Sequence, residues 1–79
     1  MAHIRIEYFA VLREHVGRAG EELHTSAATV GELYAELDGR YAFPALGQVK
    51  VAVNDEFRDW STPLRDGDLV VFIPPVAGG

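Results

Sequence analysis

Thr29-Val30-Gly31-Glu32-Leu33-Tyr34-Ala35-Glu36-Leu37-Asp38-Gly39-Arg40-Tyr41 has the clearest helical pattern in the chain. Thr29 and Glu32 stand three apart, the spacing of a capping box. The Thr side chain accepts the amide at Glu32 and the Glu reaches back toward the cap. Val30, Leu33, Tyr34, Leu37 and Tyr41 then follow one stripe, and Gly39 reads as the stop. On both sides of this helix the apolar residues alternate with period two instead. Upstream, His3 to Phe9 places Ile4, Ile6 and Tyr8 on one face, with His3, Arg5, Glu7 and Phe9 on the other. That is a half-buried strand whose polar face ends on an apolar residue. Ala10 to Val16, with Leu12 and Val16 at i, i+4, reads as a short helical turn closed by Gly17. Glu21 to Thr25 has the length of a return strand. Downstream, Ala42 to Gly47 is a loop, and Gln48 to Val53 turns Val49, Val51 and Val53 inward. Asn54-Asp55 is a two-residue turn returning through Glu56-Phe57-Arg58, which sets Phe57 opposite Ala52 on the outer face. Arg65-Asp66-Gly67-Asp68 launches a last strand, Leu69 to Ile73. Strands around one main helix make an α+β, sheet-plus-helix domain.

Seventy-nine residues hold one core, and a domain of this size buries only about 60% of its unfolded surface. The absence of cysteine removes disulfides, thiolate metal sites and thiol nucleophiles. Twelve acidic against seven basic residues give a net charge of −5, which disfavours a nucleic-acid partner. No apolar run approaches the ~20 residues of a membrane span, and Met1-Ala2-His3 enters a strand with no signal-peptide pattern. The expectation is a soluble cytoplasmic domain with no membrane partner.

Internal catalysis finds little support. His3, His15 and His24 share no metal-ligand spacing, so no metal site is expected. Ser26 and Ser61 sit in no nucleophile elbow. Asp55-Glu56, Asp66/Asp68 and Glu21-Glu22 fall on turns or edges, where solvated charge is the expectation. Gly17 and Gly20 end a turn and open no phosphate loop.

The outer face of the sheet is more informative, since one helix covers only one face. The last strand is apolar on both parities. Whichever of Val70/Phe72 or Leu69/Val71/Ile73 meets the helix, the other stripe stays uncovered. Phe9 and Phe57 also point outward, while Trp60 reads as a loop-packing residue. Burying one such side chain in an interface contributes roughly 1.5–3 kcal/mol, so a few of them anchor a partner. Residues 1–73 form the folded domain, and 74–79 an extended tail. Pro74 and Pro75 cannot donate to a sheet ladder, and Gly78-Gly79 leave a slim backbone ending in one carboxylate.

These residues resemble a known family. Phe9 with Leu12-Arg13-Glu14, the Thr29-Val30-x-Glu32-Leu33 helix start and Val51-Ala52-Val53-Asn54 carry part of the likeness. Leu64-x-Asp66-Gly67-Asp68 and Phe72-Ile73-Pro74-Pro75-Val76-Ala77-Gly78-Gly79 complete it. Together they look like the small subunit of molybdopterin synthase (MoaD), along the whole chain. The resemblance implies a ubiquitin-like β-grasp fold, a mixed sheet on one main helix with its first and last strands parallel at the centre. It also implies a sulfur carrier. An adenylating enzyme of the ubiquitin-activating type joins Gly79 to AMP from ATP, and a persulfide sulfurtransferase converts the adenylate to a thiocarboxylate. The tail then enters the synthase large subunit, within a heterotetramer, to build the dithiolene of the molybdenum cofactor. Gly79 is then the reacting residue. Phe9, Phe57, Ile73, Pro74, Pro75, Val76, Ala77 and Gly78 meet the partner, and no cofactor stays bound to the carrier. Ala77 stands where many relatives place Ser or Thr. Carriers for cysteine synthesis end in a similar tail, thiamine-type carriers typically lack the Pro-Pro block, and a ubiquitin-like modifier would share the activation step.

Overall fold

A computed structural model of the chain describes residues 1–44 and 48–75. Its elements are β1 (Ala2–Tyr8), α1 (Ala10–Val16), β2 (Gly20–Thr25), α2 (Val30–Tyr41), β3 (Lys50–Val53), β4 (Glu56–Arg58) and β5 (Leu69–Ile73). The five strands form one sheet in the order β2-β1-β5-β3-β4. β1 and β5 run parallel at its centre, with Tyr8 beside Phe72, and the other neighbours are antiparallel. None of the described helices is long and apolar enough to cross a membrane.

The inward stripes pack as the alternation requires. Ile4, Ile6, Tyr8, Val51, Val53, Val70 and Phe72 meet Leu12, Val30, Leu33 and Leu37 in one core. Val70 and Phe72 are the inward pair of β5, which assigns Leu69, Val71 and Ile73 to the outer face. Tyr34 and Trp60 close one end of the core, their ring centroids 5.1 and 6.2 Å from that of Phe72. Trp60 thus packs as a loop residue on the helix side of the sheet.

Besides one-residue extensions at the starts of β1 and β2, three boundaries differ from the sequence pattern. β1 ends at Tyr8, and Phe9 is the N-cap of α1. β3 starts at Lys50, two residues later than the alternation suggested. Most clearly, α2 does not stop at Gly39 but runs to Tyr41, where Ala42 takes the left-handed conformation at φ 51°. Gly39 is exposed with open space around it, so the helix bears only the ~1 kcal/mol propensity cost of a glycine there. The contacts that end the helix lie further on. His15 Nε2 is 2.7 Å from the Tyr41 carbonyl, and Asp38 accepts the amide of Phe43 at 2.9 Å. The predicted cap at the other end is present: Thr29 accepts the Glu32 amide at 3.2 Å, and Glu32 reaches back to the amide of Ala28 at 3.0 Å.

The Asn54-Asp55 turn has φ 52° and 69°, positive at both positions as a two-residue hairpin turn of the I′ kind requires. Phe57 therefore lies opposite Ala52, as the spacing demanded. Ala52 is buried even on the outer parity, a small side chain shadowed by its cross-strand neighbours Phe57 and Val71.

Candidate partner-docking face and tail root

Register places the outward apolar residues side by side. Ala52 pairs with Phe57 on one flank and Val71 on the other, and Lys50 pairs with Ile73. Because Tyr8 pairs with Phe72 across the parallel strands, Phe9, just past the end of β1, and Ile73, the last residue of β5, each follow one residue beyond that pair. Phe9 is 53% exposed and Phe57 69%, values that set them apart from the core aromatics Tyr8 and Phe72 at 2% and 0%. Ile73 and Val71 are half-buried, Pro74 is buried and Pro75 exposed. Phe57, Ile73, Pro74 and Pro75 line an open groove of about 340 Å³ together with Gln48 and Lys50. The chain thus leaves its sheet through an apolar groove lined by one exposed phenylalanine, Phe57, while the other, Phe9, follows β1 on the opposite side of β5. Val76, Ala77, Gly78 and Gly79, singled out in the sequence, lie outside the described residues.

Three carboxylates expected to be solvated are instead structural. Asp68 is buried at 9% exposure, accepting Asn54 Nδ2 at 2.9 Å and the Arg65 amide at 2.8 Å. Asn54 Oδ1 in turn accepts the Leu69 amide at 2.9 Å, which ties the β3–β4 turn to the start of β5. Asp66 accepts the His3 amide at 2.8 Å and so anchors the start of β1. On the other side of the domain, Glu21 Oε2 accepts the hydroxyls of both Tyr8 and Tyr41 at 2.7 Å. Arg18 stands 3.8 Å from its other oxygen. Burial pushes the Glu21 pKa up, but the two tyrosine hydrogen bonds, with Arg18 and Arg40 nearby, outweigh it and hold the carboxyl below the ordinary 4.5.

His3 and His24 are cross-strand partners on the outer face, stacked at 4.5 Å, with Glu22 3.0 Å from His3. Among the described residues no group of three His, Cys, Asp or Glu is arranged to hold a metal ion. The sequence reading passed over Lys50 and Gln48 in the groove. The available signal was that Lys50 is the chain's only lysine, standing on the outward parity of β3.

A 2-1-5-3-4 sheet over one main helix, with a central parallel pair whose last strand feeds the C-terminal segment, defines a ubiquitin-like β-grasp protein. The chain belongs to the ThiS family, whose model matches residues 6–79. It is 39% identical over 85 residues to the molybdopterin synthase sulfur carrier subunit of Mycobacterium tuberculosis, covering 100% of both chains. It is 36% identical over 80 residues to that of Escherichia coli, covering 96% of this chain and 99% of the relative.

Solved structures agree on the fold. SAMP1, a small archaeal modifier protein of Haloferax volcanii, superposes with TM-score 0.81 at 26% identity, over 99% of this chain and 100% of that one. A chain in the Helicobacter pylori complex of molybdopterin-converting factor subunits 1 and 2 gives 0.69 at 29% identity, over 98% and 99%. A chain in the Amycolatopsis orientalis BexX/CysO complex gives 0.68 at 26%, over 96% and 99%.

Proposed function

We propose that this protein is the sulfur carrier subunit of a molybdopterin synthase and carries its sulfur as a thiocarboxylate on Gly79. The supporting observation is end-to-end similarity, 36–39% identical, to two curated sulfur carrier subunits. The apolar groove where the chain leaves β5 adds a surface suited to a partner.

A free carboxylate is a poor electrophile, so the chemistry needs activation. A Gly79 carboxylate oxygen attacks the α-phosphorus of ATP on an adenylating enzyme, releasing pyrophosphate and leaving an acyl-adenylate. A persulfide sulfur then attacks the acyl carbon and AMP departs. A second thiol reduces the resulting acyl disulfide, leaving the thiocarboxylate on the carrier and a disulfide on the donor. In the synthase the tail enters the large subunit and gives its sulfur to a pyranopterin precursor. Six residues, 74–79, extend to about 20 Å at ~3.3 Å each, enough to cross a partner's wall. The prolines lower the entropy lost on insertion and the glycines pass a narrow channel.

Incubation with ATP, the adenylating enzyme and a persulfide donor is expected to exchange one oxygen for one sulfur, read by intact-mass spectrometry. An unchanged mass would sink the carrier reading. The similarity to SAMP1 and to the BexX/CysO complex supports two alternatives, a protein modifier and a carrier for another pathway. A modifier would yield an isopeptide adduct in the same assay. A carrier for another pathway would take up sulfur yet give none to the pterin precursor on the large subunit.

The exposed phenylalanines supply a second expected result. Phe9→Ala is expected to weaken large-subunit binding about tenfold or more, since burying such a ring contributes roughly 1.5–3 kcal/mol. Its melting temperature should stay near that of the wild type, because the ring is 53% exposed in the free domain. Calorimetric titration and thermal melts separate the two quantities, and parallel losses in both would place Phe9 in the core.

A further inference from the structure

Lys50 is the only lysine of a chain with net charge −5. It stands on the outer face at the first position of β3, opposite Ile73, the last residue of β5. Its groove is otherwise lined by Gln48, Phe57, Ile73, Pro74 and Pro75, with no carboxylate among them. Among the described residues Lys50 makes no ion pair, whereas Arg5, Arg18, Arg40 and Arg58 each do. The nearest outward acid on the far side of β5 is Glu7, opposite Val71 and taken up by Arg5 at 3.7 Å. On the β4 side, Asp59 lines an adjoining groove together with Lys50 itself, but among the described residues the two form no ion pair, and Asp59 accepts the Ser61 hydroxyl at 3.3 Å.

An ammonium on an apolar patch loses hydration when a partner closes over it, and that loss is offset only by a facing anion. A purely apolar partner would leave the charge buried and unpaired, and a basic one would repel it. We propose that Lys50 makes the tail root a charge-reading site, whose occupant is a protein surface presenting a carboxylate beside an apolar side chain. The apolar side chain fills the groove between Phe57 and Ile73 while the carboxylate meets the ammonium. On the sulfur-carrier reading, on which this inference rests, that surface belongs to the synthase large subunit. Lys50 then acts as a specificity residue at the mouth of the site the tail enters. It is a positioning residue, acting at the root of the tail.

Zero-length carbodiimide coupling of the full chain to the large subunit tests this directly, since the reagent joins an amine only to a carboxylate. Peptide mapping is expected to find Lys50 in an amide with an Asp or Glu of the large subunit, and the cross-link is expected to vanish in Lys50→Arg. Calorimetry on the same pair should give Lys50→Arg within about threefold of wild type. Lys50→Gln should be about tenfold weaker with a shallower salt dependence, and Lys50→Glu about a hundredfold weaker. Lys50 is exposed, so melts of all three variants should match the wild type. Wild-type-like binding by Lys50→Glu, or a cross-linked complex without Lys50 in it, overturns the inference and leaves the carrier reading standing. A wild-type chain that does not bind the large subunit overturns the carrier reading, and the inference with it.

Discussion

A chain lacking only Gly79 will take up no sulfur from ATP, the adenylating enzyme and a persulfide donor, yet will melt at the wild-type temperature. The two halves of that result have different causes. Among the described residues every fully buried core side chain falls between Ile4 and Phe72, and a glycine has no side chain to pack, so deleting Gly79 is expected to leave the core intact. The shortened chain still ends in a carboxylate, now on Gly78, so the failure is one of position. The reacting carbon is drawn back by about 3.3 Å, the rise of one extended residue. Misplacing a reacting group by even ~1 Å costs on the order of a hundredfold in rate, so the acyl-adenylate should not form at a measurable level. Intact mass and a thermal melt on the same sample check both halves. Loss of the fold would show instead that the tail is structural.

Legibility in the sequence followed the range of the interactions. The Thr29 cap, the Asn54-Asp55 hairpin turn and the inward stripe of Ile4, Ile6 and Tyr8 depend on neighbours within a few residues. All three are present as the pattern predicts. The parallel β1–β5 pair joins Arg5 to Leu69, across most of the chain, and no local pattern carries it. It was accessible through family resemblance. The same reasoning explains the misread acids. Asp68 is held by Asn54, fourteen residues away, and Glu21 by Tyr8 and Tyr41, thirteen and twenty away. An acid beside a turn looks solvated until the strand that covers it is in place. For the candidate docking face, outward parity singled out Phe9 and Phe57 and the family resemblance named Ile73, whose outward position followed once Val70 and Phe72 proved to be the inward pair. Lys50 was overlooked because a charged residue at a strand edge looks ordinary. That it lines a groove without a carboxylate at the tail root emerges only when β3 lies against β5.

Glu21→Ala will destabilise the domain by about 2–3 kcal/mol. One carboxylate oxygen joins β2 to β1 through Tyr8 and to the end of α2 through Tyr41. Tyr8 is 2% exposed, so without Glu21 its hydroxyl is left buried and unpaired, at a cost of about 1–3 kcal/mol. Tyr41 is less buried and recovers water, so the second bond contributes less. For a domain of this size the loss lowers the melting temperature on the order of 10–20 °C. Glu21→Ala combined with Tyr8→Phe should be milder than the sum of the two, because the orphaned donor is removed with its acceptor. The same cluster sets a pH signature. The Glu21 carboxyl is held below its ordinary 4.5, so the stability it contributes is present above that value and is lost as pH falls through the folded pKa. Burial and then the Glu21 bond raise the Tyr8 phenol well above its ordinary 10.0; for Tyr41 the bond comes first and burial second. Their contribution is therefore present below pH 10.0 and lost above it, as the unfolded phenols ionise first. Denaturant titrations across pH are expected to give a plateau that falls at both ends. In Glu21→Ala the plateau should be lower and both falls shallower. An unchanged acid limb in that variant would show that other carboxylates govern acid unfolding.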